Sequence, residues 1–305
     1  MKKYKKVYVE ITNVCNLRCS FCPETKRQSK YMTQSEFLHV IHEIKPFTDY
    51  VYFHLMGEPF LNPELGSFIS ICSDNNIKVN ITTNGVLLEK KKSLLLSTGG
   101  LRKVGISLHS FEANLEGKFL NEYLDGVINF VKEASQKGII CELRLWNAES
   151  KDIADGNSLN SIIIDRLYKA FNNGGATYQT NNRNDMSQGD FMLNDLLLRQ
   201  NTKLADRVFL HLAHKFQWPD MDRADSTEEV FCYGLRDQFG ILVDGTVVPC
   251  CLDSEGNIPL GNIFQQPLRD ILASTRACNI YDGFTARKAV EELCRRCGYA
   301  ERHRR

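Results

Sequence analysis

The chain has 305 residues, of which 43% are hydrophobic and 25% charged, and its formal net charge is +1. This composition is typical of a globular protein, and the length suits one large domain with or without a small one. The near-neutral charge gives no support for bulk nucleic-acid binding. No apolar run approaches the roughly 18 residues of a membrane span, and no apolar signal-peptide core follows the N-terminal lysines. We therefore expect a cytoplasmic protein without a membrane partner.

Short β-branched runs alternate with helical patterns through the first two-thirds of the chain. The segment TQSE at 33–36 is a capping box, which predicts the start of a helix. Strands and helices are predicted over 7–12, 33–45, 50–55, 63–75, 77–83, 87–97, 103–108, 120–137, 139–145, 158–171 and 208–212. Such alternation predicts parallel strands with crossover helices, in an open sheet or a barrel. The polar, glycine-containing stretch 172–200 is interpreted as an insertion or loop.

Three cysteines follow the first predicted strand: Cys15, Cys19 and Cys22, with the spacing C-x3-C-x2-C. Three thiolates on one short loop can hold three irons of a [4Fe–4S] cube and leave the fourth open to a small molecule. A structural zinc site needs four ligands, and the nearest further histidine or cysteine is His39. Disulfides are disfavoured in a reducing compartment. The triplet therefore favours an iron–sulfur cluster over zinc.

The pattern C-x3-C-x-aromatic-C, with Phe21 before the last cysteine, resembles the signature of the radical S-adenosylmethionine (SAM) superfamily. The resemblance implies an α/β fold with a partial (β/α)6 TIM-like barrel. It also implies that SAM binds the open iron and is reductively cleaved to a 5′-deoxyadenosyl radical, which abstracts a hydrogen atom from the substrate. The protein orients and shields these cofactors. A reducing partner such as flavodoxin or ferredoxin is implied as well.

Several predicted strand ends match SAM-binding positions of that family. The segment HLMGEP at 54–59 resembles the family's GGEP motif, so Gly57 and Glu58 are expected near the SAM amino group. The other cofactor-binding residues implied by the resemblance are Phe21 for the adenine, Asn84 in TTNG, Ser107, and Arg144 for the carboxylate or ribose. Two histidines at strand ends, His54 and His109, are candidate catalytic proton acceptors. An ordinary hydrogen-bonded pocket histidine is the alternative for each of them.

A second group of cysteines lies in the C-terminal part: Cys232, Cys250, Cys251, Cys278, Cys294 and Cys297. Asp244-Gly245 between two apolar runs predicts a hairpin, which would bring Cys232 towards Cys250. Zinc and iron–sulfur clusters accept the same thiolate set. The spacing resembles the Twitch domain, the shortened form of SPASM, and implies that Cys232, Cys250, Cys294 and Cys297 hold an auxiliary [4Fe–4S] cluster. Cys251 is an alternative to Cys250, and Cys278 has no assignment.

The resulting organisation is a radical SAM core over 1–215, a linker over 216–229 and a Twitch/SPASM-like domain over 230–305. The expected function is a radical SAM oxidoreductase or modifying enzyme. Its auxiliary cluster suits oxidation or dehydrogenation of a small molecule, or peptide modification. The alternatives are a radical SAM enzyme that modifies RNA, and a non-catalytic binding module stabilised by zinc. The sequence does not identify the substrate.

Overall fold

A computed structural model describes residues 2–110, 119–147, 158–171, 201–213, 215–224 and 228–301. The predicted loop over 172–200 lies outside the described residues. The chain divides into two compact units, the first formed by Met1–Thr82, Thr98–Leu101 and Phe216–Arg305, and the second by Thr83–Ser97 and Arg102–Lys215. The predicted division at 215, 216–229 and 230 stays a prediction.

The elements alternate between strands and helices as far as β5. The strands are β1 (Lys6–Val9), β2 (Tyr50–Phe53), β3 (Lys78–Thr83), β4 (Leu101–Ser107), β5 (Ile140–Leu145), β6 (Asn201–Ala205), β7 (Val208–Leu212), β8 (Gln238–Ile241), β9 (Thr246–Val248) and β10 (Gly261–Asn262). The helices are α1 (Gln34–Ile44), α2 (Leu65–Asp74), α3 (Leu88–Ser97), α4 (Leu120–Gln136), α5 (Ser158–Phe171), α6 (Leu268–Leu272), α7 (Thr275–Thr285), α8 (Glu292–Arg295) and α9 (Gly298–Glu301).

In the first unit the strand order is β10-β9-β8-β1-β2-β3. Strands β8, β1, β2 and β3 run parallel, and β9 and β10 are antiparallel additions. The predicted hairpin is confirmed, because β8 and β9 pair around Asp244-Gly245 and Gly245 has φ +88°. Strand β8 also pairs in parallel with β1, with Tyr8 opposite Gly240. That pairing joins the C-terminal hairpin to the strand that precedes the first three cysteines.

In the second unit the strand order is β4-β5-β7-β6. Strands β4, β5 and β7 are parallel and β6 is an antiparallel edge strand. Five parallel strands, β1 to β5, alternate with helices in the way the barrel prediction requires, and β7 joins β5 in parallel after the edge strand β6. The α/β class is therefore confirmed, and in the part of the chain that the structure describes the sheet is not closed, since β10 and β6 are its terminal strands.

Helix starts and burial follow from local sequence. Thr33 caps α1, its side chain accepting from the backbone of Glu36 while the Glu36 carboxylate accepts from the backbone of Thr33. The helix buries Phe37, whose ring stacks on Phe68 of α2 with centroids 4.2 Å apart. Helix α2 starts later than the predicted residue 63, because a 3-10 turn (Pro59–Leu61) intervenes.

No helix in the described part of the chain is long and apolar enough to cross a membrane.

Candidate metal centres

The cysteine loop after β1 is tied at its base by polar side chains. The Thr12 hydroxyl donates to the carbonyl of Lys30 at 2.9 Å. The Asn13 side chain accepts from the backbone N–H of Lys30 at 2.8 Å and donates to the Gln28 carbonyl at 2.9 Å. These bonds close residues 13–30 into a compact loop, and the three cysteines lie inside it. β1 is thus followed directly by a fixed platform for Cys15, Cys19 and Cys22.

The three thiols of this loop lie near one another. The backbone N–H of Cys22 donates to the carbonyl of Cys19 at 3.0 Å, which turns the chain tightly between these two residues. Burial, together with the neighbouring sulfurs of Cys19 and Cys15, raises the pKa of Cys22 to about 12. Such thiols are protonated at neutral pH, so a metal cluster must displace their protons when it binds.

The Gly57-Glu58 segment lies against the start of the cysteine loop. Gly57 has φ +74°, and a Cβ there would meet the Asn13 carbonyl carbon and the Val14 oxygen at 2.9 Å, with the Thr12 oxygen closer still. The backbone N–H of Glu58 donates to the Val14 carbonyl at 2.8 Å. Only glycine allows this approach, because it lacks a Cβ and tolerates a positive φ. The segment therefore lies directly beside the residue that precedes Cys15.

A buried ion pair fastens the loop to the rest of the first unit. The guanidinium of Arg27 donates two hydrogen bonds to the Glu10 carboxylate, at 2.6 and 2.7 Å. Glu10 also accepts from the backbone of Met56 at 3.2 Å and of Val243 at 2.9 Å. Arg27 Nε donates to the Ser254 carbonyl at 2.9 Å. One fully buried carboxylate therefore connects the cysteine loop, the Gly57 segment and the C-terminal hairpin.

The second set of cysteines lines a cavity of about 370 Å³ in the first unit. Cys232, Cys250, Cys294 and Cys297 all contribute to its wall, as does Phe231. Burial raises the pKa of Cys232 to about 11 even though the backbone N–H of Gly234 donates to its sulfur at 3.3 Å. For Cys250 and Cys294 burial raises the pKa well above the usual range, and the other cysteine sulfurs raise it further.

Cys251 and Cys278 lie apart from the cavity wall. Cys251 packs against Tyr8, Leu55 and Val248 in a small buried cluster. Cys278 is exposed on α7, with its sulfur 3.7 Å from the Ala273 carbonyl oxygen. Of the two neighbouring cysteines, Cys250 and not Cys251 therefore faces the cavity.

The donor set of the cavity fits an iron–sulfur cluster. In the part of the chain that the structure describes, no three cysteine, histidine or carboxylate groups are close enough to hold one metal ion. A zinc ion draws four sulfurs to within about 2.3 Å of itself. A [4Fe–4S] cube instead takes one thiolate on each iron, so its four ligands stand further apart around a larger volume. The four cysteines that line this cavity can supply one thiolate to each iron of such a cube.

In the second unit the predicted cofactor residues Ser107 and Arg144 are direct partners between β4 and β5. The Arg144 side chain is buried, and its guanidinium carbon lies 3.6 Å from the centre of the Trp146 ring. His109 follows β4, with Nδ1 3.1 Å from the Arg144 carbonyl oxygen and 3.4 Å from the backbone nitrogen of Trp146. The three predicted residues thus form one group, to which Trp146 adds an aromatic ring.

Burial decides the charge state of this group. Burial, helped by the Arg144 charge, lowers the pKa of His109 to about 4, against the hydrogen bond to the Arg144 carbonyl. For Glu142 the charged neighbours outweigh the effect of burial on the pKa. Burial opposes its ionisation, but the hydrogen bond to His211 at 3.0 Å and the Lys103 ammonium at 2.5 Å together lower its pKa. His109 is therefore neutral at pH 7, and Glu142 is ionised.

Asn84 lies in a tight turn of the second unit. The Asn84 side-chain oxygen accepts from the backbone N–H of Val86 at 3.0 Å. The Asn84 backbone carbonyl accepts from the Tyr123 hydroxyl at 2.9 Å. Gly85 has φ +83°, and a Cβ there would meet the Tyr123 oxygen at 2.8 Å. TTNG is thus a turn closed by Tyr123.

Sequence reasoning missed Trp146, Glu10, Arg27 and the Glu142–His211 pair. A signal existed for Trp146, which lies two residues after Arg144 and so shares its side of the chain if the strand continues. Glu10 was visible as an acidic residue at the end of a β-branched run. The partners of Glu10 and of Glu142 are distant in sequence, and no local pattern identifies them.

An α/β chain with one cysteine triplet after its first strand and a second cysteine set on a C-terminal hairpin is of the iron–sulfur enzyme class. Residues 9–146 match the model of the radical SAM superfamily. Residues 232–298 match the model of the SPASM iron–sulfur cluster-binding domain. The chain is therefore a radical SAM protein with a C-terminal SPASM-type domain. The second match argues against the zinc-stabilised module.

Named relatives are similar to part of this chain in sequence, and solved structures are similar to it in fold. A 138-residue segment is 30% identical to the probable GTP 3′,8-cyclase of Methanocaldococcus jannaschii, and covers 44% of this chain and 46% of that protein. The chain thus spans about half the length of the curated relatives it matches. BtrN in complex with AdoMet and 2-DOIA has 16% identity and a TM-score of 0.55, over 97% of this chain and 94% of BtrN.

Streptococcus suis SuiB bound to its precursor peptide SuiA is similar as well. It has 18% identity and a TM-score of 0.56, over 98% of this chain and 70% of SuiB. At these identities the likeness to BtrN and to SuiB shows the fold alone.

Proposed function

We propose that the protein is a radical SAM enzyme that removes a hydrogen atom from an unactivated carbon of its substrate and uses an auxiliary [4Fe–4S] cluster. The observation that carries the proposal is the contact of the Gly57-Glu58 segment with the base of the cysteine loop. It joins an amine-binding motif to a three-thiol cluster site. SAM bound at such a cluster supplies the 5′-deoxyadenosyl radical that abstracts the hydrogen.

The chain's own residues have the following roles in this proposal. Cys15, Cys19 and Cys22 hold the cluster that binds SAM, and Glu58 accepts a hydrogen bond from the SAM amino group. In the second unit, the Arg144 guanidinium binds the carboxylate or ribose of SAM, because charge-assisted bonds to a fixed guanidinium are strong. Phe21, Asn84 and Ser107 contact the remainder of SAM. Stacking on Trp146 fixes the plane of the guanidinium.

Cys232, Cys250, Cys294 and Cys297 hold the auxiliary cluster. All four line one cavity, and the matched domain type binds iron–sulfur clusters. With four protein ligands, this cluster has no open iron and suits electron transfer. Flavodoxin or ferredoxin is the proposed reducing partner.

Of the two candidate proton acceptors, His54 is the better supported. His109 has a pKa of about 4 and is buried, so it is a weak base at neutral pH. His54 is half-buried and lies three residues before Gly57. We therefore propose that His54 takes the proton when the substrate radical is oxidised, and that His109 has a structural role.

Two substrate classes remain in the proposal, a peptide and a small molecule. The first is favoured by the likeness to SuiB bound to its precursor peptide, the second by the likeness to BtrN with 2-DOIA. The relatives named GTP 3′,8-cyclase add a nucleotide to the small-molecule class. RNA remains the alternative from the sequence, and tight, salt-sensitive binding of RNA would favour it.

The deciding experiment changes Cys15, Cys19 and Cys22 together to Ala. Anaerobically reconstituted wild-type protein should hold about eight irons, four in each cluster, and should form 5′-deoxyadenosine from SAM with dithionite. The triple variant should lose this activity and about half the iron, and keep the second cluster.

Cys278→Ala removes an exposed thiol outside both sites and serves as the matched control. This variant should keep its full iron content and should still form 5′-deoxyadenosine. Formation of 5′-deoxyadenosine by the triple variant would overturn the proposal.

A further inference from the structure

Three rings lie in contact in the first unit, between the two cysteine sites. The ring of Tyr8 on β1 meets that of His54 edge-on, with centroids 5.1 Å apart and an interplanar angle of 86°. The Tyr52 ring completes the group, 5.3 Å from Tyr8 and 5.9 Å from His54. Tyr8 is only 5% exposed, so solvent does not separate these rings.

One end of the group reaches the second cysteine site. Tyr8 packs against Cys251, and its hydroxyl shares a hydrogen bond with the Cys251 thiol and lies within electrostatic range of Cys250. Gly240 lies opposite Tyr8 on β8. A Cβ at Gly240 would be 3.2 Å from a Leu55 methyl carbon and 3.4 Å from the Cys250 carbonyl oxygen. Because this position has no side chain, Leu55 and the backbone of Cys250 approach each other closely beside Tyr8.

The other end reaches the first cysteine site through a short piece of chain. His54 is followed by Leu55, Met56 and then Gly57, which lies against residues 12–14. The backbone bond from Glu58 to Val14 closes the contact at 2.8 Å, one residue before Cys15. Packed rings, covalent bonds and one hydrogen bond therefore connect the ligand Cys250 with the neighbour of Cys15 without leaving the first unit.

We propose that Tyr8 and His54 form an electron path between the two cluster sites. The proposal rests on the proposed function, which supplies the two clusters. One electron moves at a time: the cluster that gives it changes from the 1+ to the 2+ state, and the cluster that receives it changes from 2+ to 1+. No bond breaks and no proton moves, since the rings mediate tunnelling and are not themselves oxidised. The Tyr8 ring is the essential part, because it spans the gap between His54 and the Cys250–Cys251 pair.

The test measures electron transfer within the holoenzyme, without any substrate. Pulse radiolysis reduces one cluster per molecule, and the redistribution of the electron is followed by absorbance and by freeze-quench EPR. Tyr8→Leu and His54→Leu should each slow the intramolecular phase about tenfold or more. Tyr8→Phe, which keeps the ring, should stay within about twofold of the wild type.

The matched control is Phe239→Leu. Phe239 is a buried ring next to Gly240 on β8, and because side chains alternate along a strand it faces the other side, where it contacts Tyr4. The rate of intramolecular electron transfer in Phe239→Leu should equal that of the wild type. EPR-monitored potentiometric titration should give unchanged reduction potentials for both clusters in every variant. A slower rate is then caused by the lost path and not by a changed driving force.

Wild-type rates in both Leu variants would overturn the path, as would the absence of any intramolecular phase in wild-type protein with two clusters. If Tyr8→Leu does not load its clusters, the half-buried His54→Leu decides alone. A failure of the proposed function is seen separately, as four irons per chain or as 5′-deoxyadenosine formation by the Cys15, Cys19 and Cys22 variant.

Discussion

His109 is a single residue whose burial has a measurable consequence for acid stability. Its pKa is about 4 in the folded chain and 6.5 when unperturbed. Between these values the unfolded chain binds a proton that the folded chain does not, so stability falls as the pH drops below 6.5 and levels off below 4.

His109→Gln should remove this contribution. The wild type should lose about 2 kcal/mol of unfolding free energy through this histidine between pH 7.5 and pH 5, at about 1.4 kcal/mol for each pH unit in the window. Urea unfolding at the two pH values measures the difference, which should be smaller by that amount in the variant. His42→Gln, at an exposed position on α1, is the matched control variant in the same assay. An unchanged difference in His109→Gln would contradict the burial argument.

At the scale of elements, the turn after β2 depends on a glycine. Gly57→Ala introduces a methyl group where three backbone atoms of residues 12–14 already lie, at a φ that Ala disfavours. We expect the segment to move away from the cysteine loop. Iron in the first cluster and affinity for SAM should both fall, by about tenfold for SAM.

Gly138→Ala is the matched control. Gly138 has φ +84° but nothing within 4 Å of its Cβ position, so only the backbone cost of a left-handed conformation, about 1–2 kcal/mol, applies. Calorimetric titration of SAM and iron analysis compare the two variants. Equal SAM affinities in both would show that close packing at Gly57 is unimportant.

The Glu10–Arg27 pair connects three segments and should matter more than an exposed ion pair. Glu10→Gln leaves the mostly buried Arg27 without a counter-charge, which typically costs about 3–5 kcal/mol of unfolding free energy. Lys5–Asp237 offers the comparison, since Lys5 is exposed and Lys5→Met should leave the free energy of unfolding nearly unchanged. Urea denaturation under anaerobic conditions measures both. A loss below about 1 kcal/mol in Glu10→Gln would contradict the proposed fastening of the loop.

The Glu10–Arg27 pair could not be predicted from the sequence. Hydrophobic periodicity and capping predicted most strands and helices up to residue 171, because those signals lie within a few residues. The contacts that build the sites join distant segments. β8 pairs with β1 across more than two hundred residues, and Glu10 takes partners from the cysteine loop, the Gly57 segment and the hairpin. The edge strand β6 was missed because Asn201–Ala205 is short and mostly polar.

At the scale of the whole molecule, the iron content distinguishes the two neighbouring cysteines. Cys250 lines the cavity and Cys251 packs against Tyr8. Cys250→Ala should therefore weaken or abolish the auxiliary cluster and reduce the iron from about eight towards four per chain. Cys251→Ala should keep about eight. Iron analysis with Mössbauer spectroscopy checks both, and the reverse pattern would assign the ligand to Cys251.

The two cysteine sites also differ in when they become complete during synthesis. Cys15, Cys19 and Cys22 occupy one loop, tied by bonds among residues 12–30, so an emerging chain can present all three thiols early. The cavity needs Cys232 and Cys250 together with Cys294 and Cys297. A ribosome must therefore release nearly the entire described chain before that site exists. The three thiols of the first loop are accordingly synthesised together and early, whereas the four that line the cavity are all present only near the end of the described chain.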